Sequence, residues 1–319
     1  MNPMKDAPRC GFTLVDLCVL VSIFVLVGAT VLPAAIHLGS SAGRRATCSN
    51  NLRQIALAAQ MYALAEPKER FPRTVYDGVG GPPTAYTGVQ SRNPFGPGGP
   101  APNDVPAALY LLLRTQEITH AAFVCPSTDA EGWDFGGRGP VAFSNFPGRQ
   151  YLSYSYANPY PTKAAVRSGW RFNTVLGAEA PLAADMNPGG PALLTTPHTA
   201  SAGAMAAVNS PNHKGEGQNV VYCDAHVEWH ATPFSGMPLA DQPFRDNVYT
   251  AGLPTGTIVS GAPTGAADTV LLPTYGDGPQ PPRAKAKAYP GLPVLIAAGV
   301  MLFVAGLIVA ILARRPAEA

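Results

Sequence analysis

His213, Asp224 and His226 lie close together in the sequence and are residue types that zinc or a non-haem iron accepts as ligands. A histidine beside a nucleophile can also act as a general base in hydrolysis. The surrounding pattern argues against both chemistries. Gln218 to Cys223 alternates as a strand, Asp224-Ala225 forms a turn, and His226 to His230 reads as the return strand. His226 and Glu228 then share one strand face, while Asp224 sits in the turn. The chain carries no HExxH, no GxSxG and no glycine loop of the kind that cradles phosphate. The expectation is no catalytic residue, no metal and no cofactor. Asp224 would cap the turn through its own backbone, and His213 would form a hydrogen bond nearby. A calcium site is the alternative left open: Asp185, Asp224 and Glu216 are its candidate carboxylates, too few and too scattered to assign a shell of six to eight oxygens.

The elements that must position these residues are also legible. Ser40 to about Leu64 is read as a helix, with Leu52, Ile55, Ala59 and Tyr62 recurring at helical spacing, ending before Pro67. Ahead of it, Phe12 to Leu38 is an apolar run broken only by Asp16, Pro33 and His37. That exceeds the ~20 residues needed to span a bilayer and is too long for a signal peptide, so a transmembrane helix is expected over 12–38. Pro33 either kinks that helix or marks its exit. An acid at Asp16 is expensive in hydrocarbon and marks a functional position. A second transmembrane helix is expected over 292–313, an uncharged run followed by Arg314-Arg315. Lys and Arg flank both the termini and the central segment, so charge does not orient the spans.

Composition bounds the rest. The 319 residues are 46% hydrophobic and 13% charged, with 33 Gly and 34 Pro, which implies a loop-rich domain rather than a compact helical enzyme. A net charge of +2 without a concentrated basic patch excludes nucleic acid as the main partner. Tyr76 to about Asn103 reads as a long surface loop, and residues 251–291, rich in Pro, Gly and Ala, as a linker.

Gly11-Phe12-Thr13-Leu14-Val15-Asp16 resembles the cleavage and N-methylation motif of type IV prepilins and type II secretion pseudopilins. The family usually has Glu where this chain has Asp16. The resemblance implies that a prepilin peptidase cuts after Gly11, methylates Phe12 and leaves a helix that packs with neighbouring subunits. Arg44 to Ile55, then Phe123-Val124-Cys125-Pro126-Ser127, Ser153 to Ala157 and Ala183 to Gly189 resemble, in order, landmarks of a planctomycete-type prepilin-like group catalogued as a domain of unknown function, DUF1559. Asn212 to Trp229 resembles that group's processing-associated motif, a histidine, nine residues and Asp-Gly. Here ten residues intervene between His213 and Asp224, and Ala225 replaces the glycine that would supply a positive φ.

The resemblance implies a cytoplasmic leader (1–11), a pilin-like extracytoplasmic domain (39–250) and a tail (314–319) on the leader's side of the inner membrane. Cys10 then leaves with the leader and Cys18 lies in the membrane. Cys48, Cys125 and Cys223 are left in an oxidising compartment. One disulfide is expected there, preferentially Cys48 with Cys125, because it ties the helix to the domain; the alternative is three small buried thiols.

The expected fold is α+β, a long N-terminal membrane helix packed on an antiparallel sheet, with a C-terminal transmembrane helix. The expected function is non-catalytic: a pilin- or pseudopilin-like structural or accessory component of a type II secretion or type IV pilus-like system. Its partners are the prepilin peptidase, other pilin-like subunits or secretion-system membrane proteins, and the lipid bilayer. The second anchor would hold it in the membrane rather than in a filament. The alternative is a membrane-anchored receptor or scaffold binding a ligand or protein through loops 76–103 and 126–147, with Trp133, Phe135, Phe143, Phe146 and Tyr151 as its aromatic surface.

Overall fold

The computed structural model describes residues 14–240 and 242–278. The leader and Phe12, together with residues 279–319, lie outside them.

The fold is α+β. Helix α1 runs Leu14–Ala65 and continues through Pro33. Its described buried side chains, Cys48, Asn51, Leu52, Ile55, Ala56, Ala58, Ala59 and Ala63, recur at the helical period, while Asn50, Arg53, Gln54 and Leu57 point outward. The helix ends just before Pro67, whose ring cannot continue it.

Five strands form one antiparallel sheet in the order β4-β3-β2-β1-β5, with β1 Tyr154–Ala157, β2 Pro181–Asp185, β3 Gln218–Tyr222, β4 Val227–His230 and β5 Leu271–Leu272. Both faces are covered. Alternation along the strands sends Tyr154, Tyr156, Ala183 and Val221 into the core shared with α1. The opposite face sends Ala157, Ala184, Val220, Tyr222 and Leu271 against Met205, Val208, Val248 and Tyr249. Because Asp185 pairs with Tyr154 in the β1–β2 register, the carboxylate falls on the α1 side.

Helix α2, Val105–Thr115, packs on α1 and β1. Asp104 caps it by accepting from Ala107 N at 2.9 Å. The same carboxylate accepts from Thr87 N, Thr87 Oγ1 and Asn145 Nδ2, pinning the otherwise irregular 76–103 segment to the domain.

Two expectations are corrected. The transmembrane helix read from 12–38 does not stand: no helix among the described residues is long and apolar enough to cross a membrane. In the part of α1 whose packing is described, the apolar stripe is covered by the protein's own sheet, and the other face mixes Arg53 and Gln54 with exposed Leu57, Met61 and Leu64. The helix does not stop where the apolar run does: α1 continues unbroken from Leu14 to Ala65, so the run is the start of a longer helix rather than a separate spanning element. Residues 292–313, and with them the second anchor expected there, lie outside the described residues.

The segment 251–291 is not linker throughout. Residues 251–278 fold onto the domain, where Val270, Leu271 and Leu272 are buried and β5 pairs with the free edge of β1. Two apolar residues suffice for an edge strand, too short a signal to stand out against the surrounding Gly and Pro.

Candidate functional site: a buried Cys-Cys-Asp-His cluster

Four chain segments meet beneath the middle of the sheet's α1 face. Cys48 comes from α1, and Cys125 follows a 3-10 turn over His120–Phe123. Asp185 ends β2, and His213 ends a second 3-10 turn, Pro211–His213. That turn is set by Ser210, whose hydroxyl accepts from Asn212 N, and by Lys214 in the left-handed conformation at φ 60°. At Gly215, φ +77°, a Cβ would run into the Ala206 carbonyl.

Cys48 and Cys125 form a disulfide with Cα atoms 5.3 Å apart. His213 Nε2 lies 3.9 Å from Cys125 Sγ and 3.3 Å from Asp185 Oδ2. Cys48, Cys125 and Asp185 are fully buried, and His213 nearly so. Asp185 also accepts from Asn212 Nδ2 at 2.9 Å, Asn219 N at 2.7 Å and Asn219 Nδ2 at 3.0 Å. Asn212 Nδ2 reaches on to Ser153 O, and Tyr249 donates to Asp185 O. From the helix side, Asn51 Nδ2 donates to Val124 O and to the Tyr154 hydroxyl. The network is a polar seam that fixes α1 on the sheet, and nearly every buried donor in it finds an acceptor. Over it, His213 meets the edge of Trp229 at 5.3 Å, Arg45 lies on the Trp229 ring, and Arg45 pairs with Glu216.

The structure separates the three motif residues. Among the described residues, the one group of three or more His, Cys, Asp or Glu with converging ligand atoms is Cys48, Cys125, Asp185 and His213; Asp224 and His226 are not in it. They sit on the exposed β3–β4 hairpin, where Asp224 Oδ1 accepts from His226 N at 3.0 Å and lies 2.5 Å from His226 Nδ1. Slight desolvation opposes this, yet the His226 hydrogen bonds hold the Asp224 carboxyl below its ordinary range. His226 stacks on Tyr222, and Glu228 lies between His226 and His230. Ala225 occupies the left-handed position of the turn, φ 69°, with Ala225 N donating to Tyr222 O. Of the residues weighed for calcium, Asp185 is held in the seam, Asp224 by His226 and Glu216 by Arg45.

Cys223 is a buried free thiol, pushed up to about 12 by burial and by the Asp224 charge, and is inert at neutral pH. Gly11 and Phe12 lie outside the described residues, and Asp16 falls in the first turn of α1. The aromatic residues of 126–151 pack on one another: Trp133 lies 4.6 Å from both Phe135 and Phe143 and 5.6 Å from Tyr151. A separate cleft of about 430 Å³ opens where α1 ends, lined by Tyr62, Glu66, Lys68, Arg70, Arg73 and Phe95 among others.

Sequence reasoning singled out His213 but not its partner. Asp185 stood only as a loop oxygen donor, and the nearest signal to it was the Ala183 to Gly189 landmark.

The architecture is thus that of an α+β domain with one very long N-terminal helix. A family model described as "Protein of unknown function (DUF1559)" matches residues 41–95, the domain end of α1 and the loop after it, which includes Cys48 but not Cys125, Asp185 or His213. No curated protein and no solved structure matches the chain.

Proposed function

We propose that this protein is a non-catalytic, pilin- or pseudopilin-like subunit, matured by a prepilin peptidase at Gly11-Phe12 and serving as a structural or accessory component of a type II secretion or pilus-like assembly at the cell envelope. The observation that carries this reading is α1. It is one continuous helix of 52 residues, and its domain end, between Cys48 and Ala63, is buried against the sheet, the single long N-terminal helix docked on an antiparallel sheet that a pilin-like subunit calls for. The DUF1559 match at 41–95 is compatible with it. A disulfide between α1 and the domain supports an extracytoplasmic location, where such bonds persist. The polar seam around Asp185 is satisfied internally and has the character of a structural lock.

The test is mass spectrometry of the mature N-terminus from isolated envelopes. A peptide beginning at N-methylated Phe12 is expected. An intact leader, or cleavage elsewhere, overturns the reading.

A second reading, a binding scaffold, is favoured by the cleft at the end of α1. Lys68, Arg70 and Arg73 line it, and none forms an ion pair among the described residues. Burial and the neighbouring Arg70 both press the Arg73 pKa down, an electrostatic cost that a bound anion would relieve. Saturable binding of a sulfated oligosaccharide, lost in Arg73→Gln, would support it; no binding would remove it.

A further inference from the structure

We propose that reduction of the Cys48–Cys125 disulfide turns the buried cluster into a four-coordinate zinc site, with both thiolates, His213 Nε2 and Asp185 Oδ2 as ligands. This does not rest on the pilin reading. The four ligand atoms lie within 4.8 Å of one another and come from four separate segments. Bonds of ~2.0 Å to nitrogen and oxygen and ~2.3 Å to sulfur, at tetrahedral angles, set ligand separations of ~3.3 Å for N to O and ~3.6 Å for N to S. The observed values are 3.3 Å from His213 Nε2 to Asp185 Oδ2 and 3.9 Å to Cys125 Sγ. One ring nitrogen therefore already faces both a carboxylate oxygen and a sulfur at the spacing a tetrahedral metal requires. The two sulfurs must part to ~3.8 Å once the bond between them is broken, and the remaining separations close from at most 4.8 Å.

The donor set selects the metal. Two thiolates with an imidazole suit zinc and exclude calcium, which needs a shell of oxygens. Asp185 has an outer shell in place, since Asn212 and Asn219 hold its carboxylate in orientation. Trp229 and Arg45 cover the histidine edge, so all four positions are closed to solvent, the pattern of a structural site.

The chemistry balances in two steps. A dithiol reductant gives two electrons and two protons to the disulfide, leaving two cysteine thiols and an oxidised reductant. Zn²⁺ then displaces the two thiol protons to solvent, while His213 Nε2 supplies a lone pair and Asp185 a carboxylate oxygen. The disulfide and the metal are alternative locks for the same joint between α1 and the sheet.

The experiment uses the full chain, reduced with a dithiol under anaerobic conditions, freed of the reductant and titrated with Co²⁺. One equivalent should bind with the intense visible bands and thiolate charge-transfer absorption of a tetrahedral site, and Zn²⁺ should displace it. The oxidised protein should bind none, and Cys48→Ser and His213→Gln should each weaken binding by more than ~100-fold. Circular dichroism checks each sample for folding. The proposal is overturned by a folded, reduced chain that takes up no cobalt or gives only an octahedral spectrum. Retention of binding in Cys48→Ser overturns it, as does a reduced chain that stays unfolded with zinc present.

Discussion

His213 Nε2 and Asp185 Oδ2 face each other across 3.3 Å in a place where both side chains are almost wholly withdrawn from water. The carboxylate is the hub of this contact, because three further donors from Asn212 and Asn219 converge on it. Asp185→Ala strands those donors in the interior, at ~1–3 kcal/mol each before relaxation. We expect a loss of about 3–5 kcal/mol in urea unfolding, and a smaller one for Asp185→Asn, which keeps one acceptor oxygen. A cost under 1 kcal/mol for the alanine variant would mean that water enters the seam.

The disulfide closes a sequence separation of 77 residues. Chain entropy alone assigns such a link about 4.5 kcal/mol, and measured values run ~2–5 kcal/mol. The Cys48→Ala/Cys125→Ala double variant, in metal-free buffer, should lose stability in that range. An unchanged urea midpoint would show that α1 is held by its apolar stripe alone.

Ala225 keeps a left-handed conformation at φ 69° where glycine would be unstrained. Such a backbone costs an L-residue about 1–2 kcal/mol. Against this, the Ala225 methyl is buried, and glycine adds freedom to the unfolded chain. Ala225→Gly should therefore be stabilising by about 0.5–1 kcal/mol. A fall in the unfolding midpoint would show that the methyl's packing outweighs the turn.

His120 sits among Phe123, Trp133, Phe135, Phe146 and Tyr151, and its Nδ1 accepts from Trp133 N at 2.9 Å. Burial pushes its pKa down to about 4. A folded value below the unfolded ~6.5 means that the stabilisation is complete above ~6.5 and is lost as pH falls toward 4. The full linkage is about 3 kcal/mol. Urea midpoints followed from pH 7 to pH 4 should decline, and His120→Gln, less stable at pH 7, should decline less steeply. Parallel curves would place the acid sensitivity in other groups.

What the sequence determined by itself is local. The period of Leu52, Ile55 and Ala59 marks the buried stripe of α1, because side chains three and four apart share a helix face. Alternation across Gln218 to His230, broken at Asp224-Ala225, marks the hairpin, because a strand reverses face at every residue. The partner of His213 was a tertiary decision. It is Asp185 rather than Asp224, although Asp224 is nearer in sequence, because strand pairing turns Asp185 toward α1 while the hairpin carries Asp224 out to solvent. Cys125 meets His213 across 88 residues, and β5 adds to β1 from what composition read as linker. Such contacts depend on which surfaces close over one another, and no short-range period encodes that.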